Sequence, residues 1–152
     1  MNKVIDSFSG EYDFLSNFYS CPVEYEGITY LNSEAAFQAA KTLNVEERKE
    51  FSNLPPNRAK QKGREITLRP DWESMKYYIM YTIVQNKFLQ NPELSEKLIA
   101  TGKKELIEGN WWHDNIWGSC KCEDCKNKKS TNWLGEILME VREKIQEGEY
   151  ND

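Results

Sequence analysis

The nine residues 33–41, Ser-Glu-Ala-Ala-Phe-Gln-Ala-Ala-Lys, constrain this chain more than any other stretch. Four of the nine are alanine, the strongest helix former, and Asn32 or Ser33 offers a side-chain oxygen to cap the first turn, so the segment opens a helix. At about 100° per residue, Glu34, Gln38 and Lys41 fall in one narrow stripe, and the rest of the circumference is small or apolar. An ordinary surface helix has a narrow apolar stripe and a wide polar face; here the proportions are reversed. The pattern fits a largely buried helix whose acid, amide and amine line a cleft. The alternative is that Glu34 complements the positive helix start while Gln38 and Lys41 are solvated.

The 152 residues suffice for one domain with a real core, expected over 1–152 with the core at about 8–145 and an acidic C-terminal tail. A net charge of −5 argues against non-specific wrapping of duplex nucleic acid, which depends on phosphate neutralisation. A small phosphorylated ligand in a local basic pocket is compatible with it. Residues 1–9 lack a basic start and a long apolar run, and no segment approaches the ~20 apolar residues of a membrane span. The expectation is a cytoplasmic monomer without membrane contact and without a cofactor.

Breakers and periodicity divide the chain. The run Val23-Glu24-Tyr25, a turn at Glu26-Gly27 and Ile28-Thr29-Tyr30 predict a short hairpin leading into the Ala-rich helix. Before it, Phe14-Leu15-Ser16-Asn17-Phe18 is either a packed loop or a loop aiming Asn17 at the cleft. Residues 45–51 form a charged helix that stops before Pro55-Pro56. The basic run at 58–64, which includes Arg64, is a solvated helix face or, in the sharper reading, a phosphate-binding edge. Asp71 is a candidate cap for a helix whose apolar residues run from Met75 to Phe88, with Lys76 and Lys87 beside them. A helix begins at Pro92 and closes near Thr101-Gly102; Glu105 to Glu108 is a short strand or a helical turn. Leu134, Ile137, Leu138, Val141 and Ile145 mark a C-terminal helix. The fold class is α+β, mainly helical, with a short N-terminal β-hairpin.

Residues around Asn17, the Glu34 helix, and 110–117 (Asn-Trp-Trp-His-Asp-Asn-Ile-Trp) mix aromatic faces with amides and acids. A pocket for a flat heterocycle joined to a sugar needs that mixture. Glu34 and Asp114 are a candidate acid pair for glycosidic cleavage, one stabilising an oxocarbenium-like centre and one moving a proton. Lys41 is a rival nucleophile if burial lowers its pKa. Cys120, Cys122 and Cys125 form a C-x-C-x2-C cluster. Free thiols in a Lys-rich surface loop are the expectation, and a Zn2+ held with His113 or Cys21 as fourth ligand the alternative.

The ordered motifs support a family resemblance. They are Phe8-Ser9-Gly10, Phe14-Leu15-Ser16-Asn17-Phe18, Tyr25-Glu26-Gly27, the Ser33 to Lys41 segment, Lys60 with Gly63-Arg64, Arg69 with Asp71-Trp72, Lys87-Phe88, Thr101-Gly102, Glu108 with Asn110, Asp114 with Trp117-Gly118, and Asn132-Trp133-Leu134-Gly135 with Leu138-Met139 and Val141-Arg142. Over about 8–142 this set resembles the NADAR or YbiA-like family. The resemblance implies a single YbiA-like domain and an N-glycosidase. The implied substrate is a small phosphorylated ribosyl-base, the bond joining ribose 5-phosphate to the amino-pyrimidine of an early riboflavin intermediate. It also admits removal of ADP-ribose from guanine in ADP-ribosylated nucleic acid. Family functional positions fall on Glu34, Trp72 and Asp114, with Lys41, Asn110 and Trp117 as further pocket residues. The substrate-contact set is Asn17, Gln38, Asn110, Trp117, Lys76, Lys87 and Arg64. The cysteine loop and His113 depart from the pattern. A non-catalytic module binding ADP-ribose or NAD, and a zinc-stabilised interaction domain, are the readings of other classes.

Overall fold

The computed structural model describes residues 3–150, so the first two residues of the N-terminal stretch and the last two of the acidic tail lie outside the described residues. In chain order the elements are β1 (Val4–Ile5), β2 (Val23–Tyr25), β3 (Ile28–Tyr30), α1 (Ser33–Ala39), α2 (Val45–Lys49), α3 (Pro56–Gly63), α4 (Trp72–Gln90), α5 (Pro92–Ala100), β4 (Glu105–Leu106), β5 (Gly109–Asn110), β6 (Ser119–Cys120) and α6 (Trp133–Gln146). A 3-10 turn, Gly10–Leu15, precedes β2 and takes in the first two residues of the predicted 14–18 loop, whose remainder is irregular. The class is α+β and mainly helical. No helix among the described residues is long and apolar enough to cross a membrane. The chain divides into two compact units, residues 17–92 and residues 1–16 with 93–152.

In the 17–92 unit, β2 and β3 pair antiparallel with Val23 opposite Tyr30. The two-residue turn takes Glu26 and Gly27 to φ of 49° and 90°, the left-handed pair that matches strand twist. The outer edge of β2 is finished by α4: Gln90 Oε1 accepts from Glu24 N–H, and Asn86 and Gln90 amides donate to Glu24 O. The Ala-rich helix forms as expected and is buried along its whole length. Asn32 is the cap, its Oδ1 accepting from Ala35 N–H at 2.7 Å. Ala35, Ala36, Ala39 and Ala40 have no exposed surface, and their small side chains let α3 and α4 approach closely.

The start of α4 corrects one expectation. Asp71 precedes Trp72 but makes no side-chain cap bond. Its carboxylate instead accepts two parallel bonds from Arg69, at 2.6 and 3.0 Å, and this guanidinium holds it below the usual carboxylate range. Arg69 also donates backbone and side-chain bonds to Lys41 O and Ala40 O, so it closes the C-terminal end of α1.

In the other unit, β1 and β4 pair in parallel, Val4 opposite Glu105, which makes the first half of the 105–108 segment strand. α6 packs on β4 through Leu134, Ile137, Leu138 and Val141. Asn132, left-handed at φ 47°, joins strand to helix: its Oδ1 accepts from Glu108 N–H and its amide donates to Leu106 O. Gly135 lets α6 come this close, since a Cβ there would collide with Leu106 O and with Asn132. Buried Arg142 donates to Thr101 Oγ1 and Lys104 O, satisfying the chain just after α5.

Candidate active site

Two constellations carry the predicted residues, one in each unit. In the 17–92 unit, α1 presents Glu34, Gln38 and, just past its end, Lys41. Gln38 Nε2 donates to Glu34 Oε2 at 2.6 Å, the i to i+4 contact expected within the stripe. The remaining Gln38 oxygen, Oε1, is buried without a partner among the protein atoms. It lies against Gly63 of α3, where a Cβ would collide with the Gln38 amide. Asn17 reaches the same helix start: its carbonyl accepts from Glu34 N–H at 3.0 Å, while its amide donates to Met80 Sδ at 3.5 Å.

Trp72 opens α4 and is buried. Its ring packs on Phe37 at 5.0 Å between centroids, tilted by 52°, and Lys41 Nζ lies 5.9 Å from its centre. Burial lowers the Lys41 pKa below its ordinary 10.5; Glu34 opposes that shift, and the charges of Arg64 and Lys60 add to it. A half-buried ammonium with cationic neighbours at the C-terminal end of α3, Lys60 and Arg64, and one carboxylate on α1 favours an anion. Lys76, one turn beyond Trp72, pairs with Glu73 at 2.6 Å. Lys87 is set apart from these: it lies fifteen residues beyond Trp72 on α4, roughly 22 Å along the axis. It is only 1% exposed, with its ammonium near the rings of Tyr19 and Phe88 at 5.7 and 5.2 Å.

In the other unit, residues 109–120 form a loop closed by the parallel pair β5 and β6, Gly109 opposite Ser119 and Asn110 opposite Cys120. Buried Asn110 organises it. Its Oδ1 accepts from Trp112 and Asp114 N–H, and its amide donates to Asp114 O at 2.8 Å. Asp114 Oδ1 in turn accepts from Ile116 N–H at 3.0 Å and Trp117 N–H at 2.8 Å. One carboxylate oxygen of Asp114 therefore holds the turn that carries Trp117, whose ring meets Trp133 edge to face. Gly118 is required here, because a Cβ would collide with Glu108. His113, left-handed at φ 68°, turns its ring toward Cys120, Cys122 and Cys125.

A groove of about 550 Å3 in this unit, lined in part by Lys103, Glu105, Ser119 and Glu136, contains none of the predicted residues. Chemistry-bearing groups and this groove do not coincide. The sequence reading missed the Phe37 packing and the role of Gly63, while of the two fourth partners it offered the thiols the structure brings His113 to them. Only the first had a signal, an aromatic residue on the otherwise alanine-walled helix.

The NADAR domain model matches residues 6–146. The chain belongs to the NADAR domain family. It is 37% identical over 142 residues to the N-glycosidase YbiA of Shigella boydii, covering 91% of this chain and 85% of that one. It is also 37% identical over 137 residues to the riboflavin biosynthesis protein VVA0006 of Vibrio vulnificus, matching 88% of this chain but 36% of that longer protein. The NMR structure of Escherichia coli YbiA aligns with a TM-score of 0.81 at 34% identity, over 100% of this chain and 90% of that one. The NADAR membership and the YbiA-like α+β fold inferred from the ordered motifs are thereby established.

Proposed function

We propose that this NADAR protein is an N-glycosidase that hydrolyses the bond between a 5-phosphorylated ribose and an amino-pyrimidine-type base. The observation that carries the proposal is the buried Glu34 carboxylate, hydrogen-bonded by Gln38 and on the same stripe, about two helical turns before the Lys41 ammonium beside Trp72. Hydrolysis breaks the bond from C1′ to the base nitrogen, and the bonding pair leaves with the base. Positive charge develops at C1′, where a carboxylate in a poorly solvated setting acts strongly. Water adds its oxygen to C1′, and its proton goes to the departing nitrogen. Glu34 stabilises the ribosyl centre and Gln38 fixes its carboxylate. The cationic group of Lys41, Lys60 and Arg64 suits a phosphate, and Trp72 supplies an aromatic wall. Asp114 enters by its family position as the proton-transfer residue, and Asn110 and Trp117 as residues of its loop. The names carried by the Shigella and Vibrio relatives, an N-glycosidase and a riboflavin biosynthesis protein, support the reaction class and the substrate class.

Release of free base from the ribosylamino-pyrimidine 5′-phosphate, compared with release from ADP-ribosylated guanosine, tests the assignment. Turnover of the first alone supports it; turnover of the guanosine adduct alone moves the substrate to ADP-ribosylated nucleic acid; binding without release leaves a sensor module. Borohydride trapping addresses Lys41. A covalent adduct that disappears in Lys41→Ala assigns an imine at the sugar carbon, and turnover with no adduct assigns direct hydrolysis.

A further inference from the structure

We propose that His113, Cys120, Cys122 and Cys125 bind one structural Zn2+ that fixes the loop carrying Asp114. His113 Nδ1 lies 3.3 Å from Cys125 Sγ, 3.4 Å from Cys122 Sγ and 4.0 Å from Cys120 Sγ. All four donor atoms fall within 4.8 Å of one another. A tetrahedral Zn2+ with Zn–S of about 2.3 Å and Zn–N of about 2.0–2.1 Å sets each N···S separation at roughly 3.6 Å. The three observed values, 3.3, 3.4 and 4.0 Å, bracket that number, so the ring nitrogen stands at the distance from each sulfur that a shared Zn2+ would set.

The backbone around the donors supports the same conclusion. His113 takes the left-handed conformation, uncommon for a residue with a side chain, and this directs Nδ1 at the thiols. Its own N–H donates to Cys120 Sγ at 3.3 Å, and Asn115 Oδ1 accepts from Cys120 N–H at 2.9 Å. Cys122 and Cys125 share a tight turn, Cys122 O accepting from the N–H groups of Cys125 and Lys126. Cys120 and Cys125 are buried, Cys122 is half-buried and His113 is exposed, the disposition of a metal at the rim of a loop. Three thiolates around Zn2+ leave one negative charge, and in the same loop Lys121, Lys126, Lys128 and Lys129 outnumber the acids Glu123 and Asp124.

A disulfide would join two of the three cysteines, strand the third, and give His113 no reason to face them. Four protein donors fill a tetrahedron, so the ion has no open position for water and is structural. Its effect on the molecule is local. Cys120 lies on β6 opposite Asn110 of β5, and His113 directly precedes Asp114, so the metal ties both ends of the Asn110 to Cys120 loop. Cys21 belongs to no such cluster, which resolves the choice of fourth ligand in favour of His113. The zinc assignment is independent of the glycosidase reading.

Protein purified from zinc-supplemented culture, without chelator, is expected to contain one Zn2+ per chain by elemental analysis. After chelation, titration with Co2+ should saturate at one equivalent, with the visible bands of tetrahedral cobalt and a thiolate charge-transfer band, and Zn2+ should displace it. His113→Ala should weaken Zn2+ binding by more than about 100-fold, beyond the loss typical of residues that only support a ligand. His113→Cys should restore tight, tetrahedral binding, and Cys21→Ser should leave stoichiometry and spectrum unchanged. The wild-type titration decides even if a variant fails to fold. Wild-type protein that takes up neither metal, an octahedral cobalt spectrum, or His113→Ala binding as tightly as wild type would each overturn the proposal.

Discussion

The Glu34 helix and the Asp114 loop hold their polar side chains by opposite means. In α1 the backbone satisfies itself, the alanines fill the contact with α3 and α4, and only the stripe is left to side-chain bonding. In residues 109–120 there are two strand residues at each end and almost nothing regular between them. There the side chains of Asn110, Asp114 and Asn115 replace the backbone ladder. A helical stripe can therefore change its chemistry without losing its shape. A loop built on side-chain acceptors loses both together, unless the replacement keeps the acceptor.

The sharpest way to break this contrast is Glu34→Gln. Glutamine can still accept from Gln38 Nε2, so the helix should fold normally while the charge is gone. Base release is expected to fall by about 10²–10³-fold, the range for removing one group that stabilises charge in the transition state, with an unchanged far-ultraviolet spectrum. Full turnover would remove Glu34 from the chemistry.

Gly63→Ala comes next and attacks the stripe from outside. The new Cβ would meet the Gln38 amide, whose end must move and release Glu34. Overpacking of this kind costs about 1–3 kcal/mol, readable as a lower denaturation midpoint, and kcat should fall with it. An unaltered midpoint would mean that Gln38 is not fixed where the packing puts it.

On the loop side, Asp114→Ala is compared with Asp114→Asn. Alanine leaves the Ile116 and Trp117 amides without their acceptor, at about 1–3 kcal/mol if water does not replace it. Asparagine keeps an oxygen for both. If both variants lose base release but only alanine loses stability, Asp114 has a chemical and a structural role. If asparagine retains full turnover, its role is the turn alone.

What the sequence disclosed follows the same division. The α1 helix, its burial, the hairpin and the long α4 and α6 helices were legible because caps, turn residues and periodicity are local signals. β1 and β4 were not, or only half: two residues carry no period, and Val4 finds its partner Glu105 about a hundred positions away. Asp71 was misread as a cap because the neighbouring Arg69 outcompetes a backbone amide for its carboxylate. Lys87 was a substrate-contact candidate by charge alone; that its ammonium is buried near two aromatic rings had no signal in the sequence. For the candidate site, the stripe could be read from spacing, but the fourth member of the cysteine cluster depends on the φ of His113, which no motif encodes.

The smallest effect concerns pH and isolates Lys41 within the stripe. Its folded pKa lies below 10.5, chiefly through burial, so between that folded value and 10.5 the unfolded chain holds the proton more tightly. Unfolding then takes up a proton, and stability contributed by this site rises with pH across that window, being flat below it. Tyr30 acts in the opposite sense. Burial pushes its phenol up to about 12, so above pH 10 the folded chain keeps a proton that the unfolded chain loses, and stability falls. The two slopes partly cancel in the wild type, which is why the measurement must be a difference. Subtracting the alkaline stability profile of Lys41→Met from that of wild type removes the tyrosine contribution and should leave a shallow positive slope ending near 10.5. A zero slope would mean that Lys41 is as well solvated as an ordinary surface lysine, and a negative one that an opposite charge holds its proton in the folded chain; either way the amine would lose its advantage as a nucleophile near neutral pH.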